Sequence, residues 1–65
     1  MSKFNKDNLK PGMIVKCGAL HYRVNYADDL GVGLTFVYEE NFTPEEYCTY
    51  TDIPYDCVKE IVRDA

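Results

Sequence analysis

Tryptophan is absent from the 65-residue chain, and serine and histidine each occur only once. The single serine, Ser2, lies in a stretch without hydrophobic periodicity, so the sequence offers no serine nucleophile placed beside a base. Three cysteines cannot all pair within one chain, whereas secreted mini-proteins usually carry an even set. We therefore expect free thiols and a cytoplasmic protein.

Long hydrophobic runs are also missing. Between Ser2 and Lys10 only Phe4 and Leu9 are apolar, so the apolar region of an export signal is not expected there. Elsewhere the longest apolar stretches have the length of a β-strand and are too short to span a bilayer. The sequence therefore predicts no association with a membrane.

The composition is that of an ordinary globular domain, with 46% hydrophobic and 28% charged residues. A chain of this size buries only about 60% of the surface that it exposes when unfolded. One thin core is therefore expected, with little room for a substrate cleft. We predict a single domain over residues 10–65, preceded by a flexible N-terminal arm over residues 1–9.

Five short segments have the composition or the period-2 alternation of strands: residues 13–17, 20–26, 32–38, 47–51 and 59–63. The clearest is the second, in which the apolar side chains alternate and are predicted to share one face: Leu20, Tyr22, Val24 and Tyr26. Turn signals rich in Gly, Pro and Asp separate the segments. Closure into a small five-stranded β-barrel would hide the edges of so small a sheet.

Two segments allow more than one structure. Residues 43–46 (TPEE) have the form of a capping box with Pro at the first helical position, although we favour a turn that leads into a strand. Residues 53–58 are typical of a 3₁₀ turn before a last strand. The alternative is one short helix over residues 55–63, because Tyr55, Val58 and Val62 share a face at helical spacing.

Both ends of the chain carry a family resemblance. Residues 9–15 (LKPGMIV), followed by residues 22–24 (YRV), resemble the opening strand pair of SH3-like barrels, including KOW-type and Tudor-type domains and the N-terminal domain of elongation factor P. Residues 53–61 (IPYDCVKEI) are similar to the 3₁₀ turn and last strand of SH3 domains. The resemblance implies a mainly β, SH3-like five-stranded barrel.

The resemblance does not imply a function for this chain. SH3 domains that bind proline-rich peptides use an ALYDY-like segment, a tryptophan and a tyrosine in the 3₁₀ turn, whereas this chain has no tryptophan and Cys57 at the tyrosine's place. Relatives of elongation factor P present a lysine in the loop where residues 27–31 (ADDLG) lie here. Only the fold is therefore expected to transfer.

The sequence gives little support for a catalytic site or a metal site. Cys17 and His21 flank a tight turn and form the one conceivable nucleophile and base, but they lie in a domain without a cleft. Together with Cys48 and Cys57 they match the ligand count of a zinc site, yet no Cys-x₂-Cys knuckle is present. We predict a non-enzymatic protein without cofactor or metal.

The net charge of −4 hides an uneven distribution. Residues 1–23 carry five basic side chains and one acid, whereas residues 24–58 carry eight acids and no base. The acidic stretch also holds seven of the nine aromatic residues. Three interpretations apply: acids that solvate the loops around an aromatic core, a protein-binding face, or an aromatic cage for a methylated cation.

We favour the protein-binding face, because six tyrosines cannot all be buried with their hydroxyls satisfied. The predicted partner is a basic protein surface, steered by carboxylates and anchored by aromatic rings. The predicted contact residues are Asp28, Asp29, Tyr38, Glu39, Glu40, Phe42, Glu45, Glu46 and Tyr47. So short a chain is typical of the regulators or inhibitors that phages and mobile elements encode, acting as a monomer or homodimer.

Two alternatives involve nucleic acid. In the first, the acidic face imitates phosphates and blocks a DNA- or RNA-binding protein. Alternatively, a KOW-like module associated with nucleic acid or the ribosome would use basic residues as phosphate contacts: Lys3, Lys6, Lys10, Lys16 and Arg23. The low isoelectric point argues against direct nucleic-acid binding.

Overall fold

A computed structural model describes residues 4–65. Five strands form one antiparallel sheet: β1 (Ile14–Cys17), β2 (Leu20–Asp28), β3 (Gly31–Val37), β4 (Pro44–Ile53) and β5 (Glu60–Arg63). Their order across the sheet is β4-β3-β2-β1-β5, so β4 and β5 lie at the two edges. The predicted mainly β fold with five strands is confirmed, while closure of the sheet into a barrel stays a prediction.

The two ambiguous segments have one structure each. Tyr55–Cys57 forms a 3₁₀ turn after Pro54, and the Lys59 N–H then donates to the Lys16 carbonyl at 2.8 Å, where β5 begins to pair with β1. The helical alternative for residues 55–63 is therefore wrong. The capping-box segment is also not helical, because β4 begins at Pro44.

The core lies on one face of the sheet, and its buried side chains are all non-aromatic: Leu9, Met13, Val15, Val24, Val32, Leu34 and Val58. Ile14 and Val37 are also buried, outside this cluster. Phe4 packs against this cluster, and Leu9 is buried within it, so the end of the predicted arm contacts the domain. Residues 1–3 of the predicted arm lie outside the described residues. Each buried aliphatic side chain stabilises the fold by about 1.5–3 kcal/mol relative to an exposed one.

A β-bulge in β2 changes the predicted alternation. Val24 pairs with Leu34, but the next partners are Tyr26 and Gly33, so Asn25 is the extra residue. The bulge turns Tyr26 to the face opposite the core. Its ring lies over Gly33, where an added β-carbon would collide with it. The prediction that Tyr26 shares a face with Tyr22 is therefore wrong.

A polar network crosses β2, β3 and β4 on the face opposite the core. The Asn25 side-chain amide donates to the Thr35 hydroxyl at 2.8 Å, and Thr35 and Thr49 share a hydrogen bond of 3.0 Å between their hydroxyls. Thr49 also donates to the Glu46 carbonyl at 3.0 Å, so Thr35 is the donor between the two threonines. Thr35 is 1% exposed, and this network satisfies its hydroxyl.

The turn between β2 and β3 is held against the end of β4. The Tyr55 hydroxyl donates to the Asp28 carbonyl at 2.6 Å, within reach of the Gly31 carbonyl at 3.2 Å. Gly31 has a φ of +150°, and a β-carbon added there would lie 2.6 Å from the Ile53 carbonyl oxygen. Glycine is required at this position because both the φ angle and the neighbouring backbone exclude a side chain.

Candidate protein-binding surface

Four aromatic rings form a continuous row across β4, β2 and β3, which we call the aromatic row: Tyr50, Tyr22, Phe36 and Tyr38. Successive ring centroids are 6.2, 6.0 and 5.2 Å apart, and every pair is edge-to-face, the arrangement that aromatic pairs prefer. Direct pairing of Tyr22 with Phe36 in the sheet register creates the middle of the row. Tyr38 and Tyr50 remain 47% and 46% exposed, so the row reaches the surface at both ends.

An apolar hollow of about 220 Å³ adjoins the Tyr50 end of the row. Six side chains from β1 to β4 and the 3₁₀ turn line it: Cys17, Tyr22, Leu34, Tyr50, Ile53 and Cys57. Leu34 is only 2% exposed and belongs to the core. The hollow is therefore an opening in the surface that extends down to the core.

The Cys17 thiol in this hollow keeps its proton. Burial raises the pKa of Cys17 to about 11. Cys57, on the 3₁₀ turn, is exposed, and both cysteines are free thiols. Burial likewise raises the pKa of the Tyr22 hydroxyl, and no Asp, Glu, Lys or Arg side chain lines the hollow.

An acidic turn adjoins the Tyr38 end of the row. The Phe42 N–H donates to the Tyr38 carbonyl at 2.7 Å, which folds the chain back after β3 and presents Glu39 and Glu40. Tyr38, Glu39 and Glu40 line a shallow depression with Asn41 and Thr43. Within residues 4–65, neither Glu39 nor Glu40 forms an ion pair, so both carboxylates remain available to a cation.

The other predicted carboxylates have partners within the chain. Glu45 accepts a hydrogen bond from the Tyr38 hydroxyl at 3.2 Å, which raises the pKa of Tyr38. Glu46 lies 3.8 Å from Arg23. At the opposite end of β3, Asp28 accepts the N–H groups of Leu30 and Gly31 and so shapes the turn. The adjacent Asp29 pairs with Lys6 at 2.8 Å, which raises the pKa of Lys6.

Within residues 4–65, neither of the two remaining predicted contact residues pairs with a ring of the row. The Phe42 ring is covered by the Arg63 guanidinium, 4.9 Å from its centroid, and lies 6.1 Å from the His21 ring. Tyr47 is 98% exposed because β4 bulges out of the sheet: its pairing with β3 passes from Thr49 directly to Pro44. The structure thus brings together Tyr38, Glu39 and Glu40 and separates them from Asp28 and Asp29.

The hollow and three of the four rings of the row, Tyr22, Phe36 and Tyr50, were not predicted from the sequence. Tyr22 and Tyr50 were expected in strands, but their contact with each other depends on pairing between three strands. The only signal in the sequence was the number of tyrosines, which is too high for a core of this size. Cys17 and Cys57 could not be placed together because 39 residues separate them.

Of the basic residues in the nucleic-acid alternative, Lys6 and Arg23 are engaged in the ion pairs with Asp29 and Glu46. Lys3 lies outside the described residues. No three His, Cys, Asp or Glu side chains within residues 4–65 are grouped so that they could hold a metal ion.

In the same part of the chain, no helix is long and apolar enough to cross a membrane. Comparisons of the chain with protein-family models, with curated proteins and with solved structures found no match.

Proposed function

We propose that the chain is a non-enzymatic protein-binding module with an SH3-like barrel fold. The order β4-β3-β2-β1-β5, the return of the last strand to β1 and the 3₁₀ turn before it support this fold. Of these features, the 3₁₀ turn followed by a last strand was expected from the resemblance at the end of the chain. The fold places the aromatic row and the acidic turn on one continuous surface.

One observation carries the functional proposal: the aromatic row, exposed at both ends, stops at two carboxylates that form no ion pair within residues 4–65. Tyrosine is among the residues that dominate binding energy at protein interfaces. Unpaired carboxylates beside such rings attract a basic partner and accelerate its association. The module therefore recognises a protein segment that carries Lys or Arg, and it acts as a regulator or inhibitor of that protein.

The test is a charge-neutral double variant of the acidic turn, Glu39→Gln with Glu40→Gln. The partner is captured from the native host and purified. The rate of its association with the immobilised chain is then measured over a range of salt concentrations. We expect association to slow about tenfold at low salt and the difference to vanish at high salt, where charges are screened.

A matched control variant changes the net charge by the same amount at positions outside the acidic turn. Asp7 lies in the first turn and Glu60 on β5, both exposed and neither lining the row or the hollow. Asp7→Asn with Glu60→Gln should leave association nearly unchanged. If the two double variants slow association equally, the acidic turn has no special role and net charge alone attracts the partner.

A further inference from the structure

The apolar hollow has the size and chemistry of a pocket for one large side chain. Its volume of about 220 Å³ exceeds the roughly 150 Å³ that hold a benzene molecule in an apolar protein cavity. Its lining is formed by aromatic rings, aliphatic groups and thiols, and the Cys17 thiol keeps its proton at neutral pH. A charged side chain would lose its hydration there without gaining a partner, whereas an apolar one loses only unfavourable contact with water.

The length of the aromatic row sets the distance between the hollow and a second contact at the acidic turn. The three centroid separations of 6.2, 6.0 and 5.2 Å limit the row to about 17 Å from the hollow at Tyr50 to the acidic turn at Tyr38. In an extended peptide, residues four positions apart are separated by about 13 Å and point to the same side. A long Lys or Arg side chain then covers the remaining distance to the Glu39 and Glu40 carboxylates.

Resting on the proposed function, we propose that the partner is recognised as an extended segment with a two-point motif. A large apolar residue fills the hollow between Tyr50 and Cys57, and a Lys or Arg four positions along the segment meets Glu39 and Glu40. The rings between them, Tyr22 and Phe36, support the intervening backbone. Charge complementarity at one end and an apolar pocket at the other also set the direction in which the segment lies.

The probe is a set of synthetic nine-residue peptides on a Gly and Ser background, titrated into the ¹⁵N-labelled chain and followed by amide chemical shifts. Phe or Leu serves as the anchor and Lys or Arg as the cation, one, two, four or six positions apart. We expect the spacing of four to bind at least fivefold more tightly than the spacing of one. It should shift the amides of Cys17, Tyr50 and Cys57 together with those of Glu39 and Glu40.

Peptides that lack one of the two points separate this inference from the proposed function. Replacing the anchor by Ala should weaken binding about tenfold and remove the shifts around Cys57. If the anchor-free peptide binds equally well and still depends on Glu39 and Glu40, the proposed function stands and the two-point motif is wrong. If the cation-free peptide binds equally well, both are wrong.

Two variants of β4 test the hollow itself. Tyr50→Ala removes one wall and should weaken the four-spaced peptide about tenfold, whereas Tyr47→Ala removes a ring that is 98% exposed and should change nothing. If the Tyr50→Ala variant does not fold, alkylation of Cys57 in the unaltered chain tests the hollow instead. The bound peptide must slow alkylation of Cys57 at least fivefold.

Three results would overturn the proposal: spacing-independent binding, equal effects of the two tyrosine variants, or undiminished alkylation of Cys57 at saturating peptide. Sedimentation equilibrium of the free chain provides a fourth. If the chain is a dimer that protects Cys57 from alkylation and that the peptide does not dissociate, a second copy occupies the hollow and the inference fails.

Discussion

The hydroxyl of Thr35 is the centre of the polar network, and its removal gives a stability prediction that can be worked out from the structure. Thr35→Val keeps the shape of the side chain and the β propensity of β3, so it creates no cavity. It deletes the acceptor of the Asn25 amide at 2.8 Å and the hydroxyl that bonds to Thr49 at 3.0 Å. Water cannot replace this hydroxyl, because Thr35 is 1% exposed.

Two hydrogen bonds at about 1 kcal/mol each give an expected loss of about 2 kcal/mol in the free energy of unfolding. A domain of this size loses about 4–8 °C in Tm for each kcal/mol, so Tm should fall by about 8–16 °C. Thermal and urea unfolding followed by circular dichroism measure both quantities. Thr51→Val is the matched control, since Thr51 is exposed on the same sheet and should shift Tm by no more than about 2 °C.

If the Thr35→Val variant unfolds within 2 °C of the unaltered chain, the network contributes nothing to stability. Water, rather than the hydrogen bond between the two threonines, would then satisfy these hydroxyls.

Two further predictions concern backbone and thiol. Gly31→Ala should destabilise the fold by about 3 kcal/mol or more, because the new β-carbon meets the backbone of β4. Gly18→Ala should lose only about 1 kcal/mol, because Gly18 has a φ of +64° and open space around it. Urea unfolding compares the two variants, and equal losses of stability would contradict the steric argument. Stability should decline as pH rises above 9 and towards 11, because the native Cys17 thiol holds its proton to about pH 11 while the unfolded thiol releases it near 9. Cys17→Ala should reduce that decline in urea titrations at pH 8 and pH 10.5, and an identical decline in the variant would show that other groups cause it.

Strand positions could be predicted because alternation and turn residues are local signals. The segment from Leu20 and the 3₁₀ turn at Tyr55–Cys57 lie where the sequence placed them. The bulge at Asn25 could not be predicted, since it arises from pairing with β3 and leaves no mark in the alternation of β2. At Pro44 the capping-box pattern competed with strand pairing to Val37, and the tertiary contact prevailed.

Of the candidate site, only the end formed by Tyr38, Glu39 and Glu40 was predicted from the sequence. Glu39 and Glu40 belong to a run of acids without nearby bases in the sequence, and they remain unpaired within residues 4–65. Glu46 belongs to the same run, yet Arg23 reaches it across the sheet. The hollow required Cys17 and Cys57 to approach from opposite ends of the chain, which only the strand order brings about.

The two faces of the sheet carry different features, the polar network on one and the aromatic row on the other. Thr35 and Phe36 are neighbours in sequence, as are Thr49 and Tyr50, so each pair sends one side chain to the polar network and the other to the aromatic row. Substitutions at Tyr38 and Tyr50 therefore leave the network untouched. A lineage of such chains can change what it recognises as its target changes, while the hydrogen bonds that hold its strands in register are inherited intact.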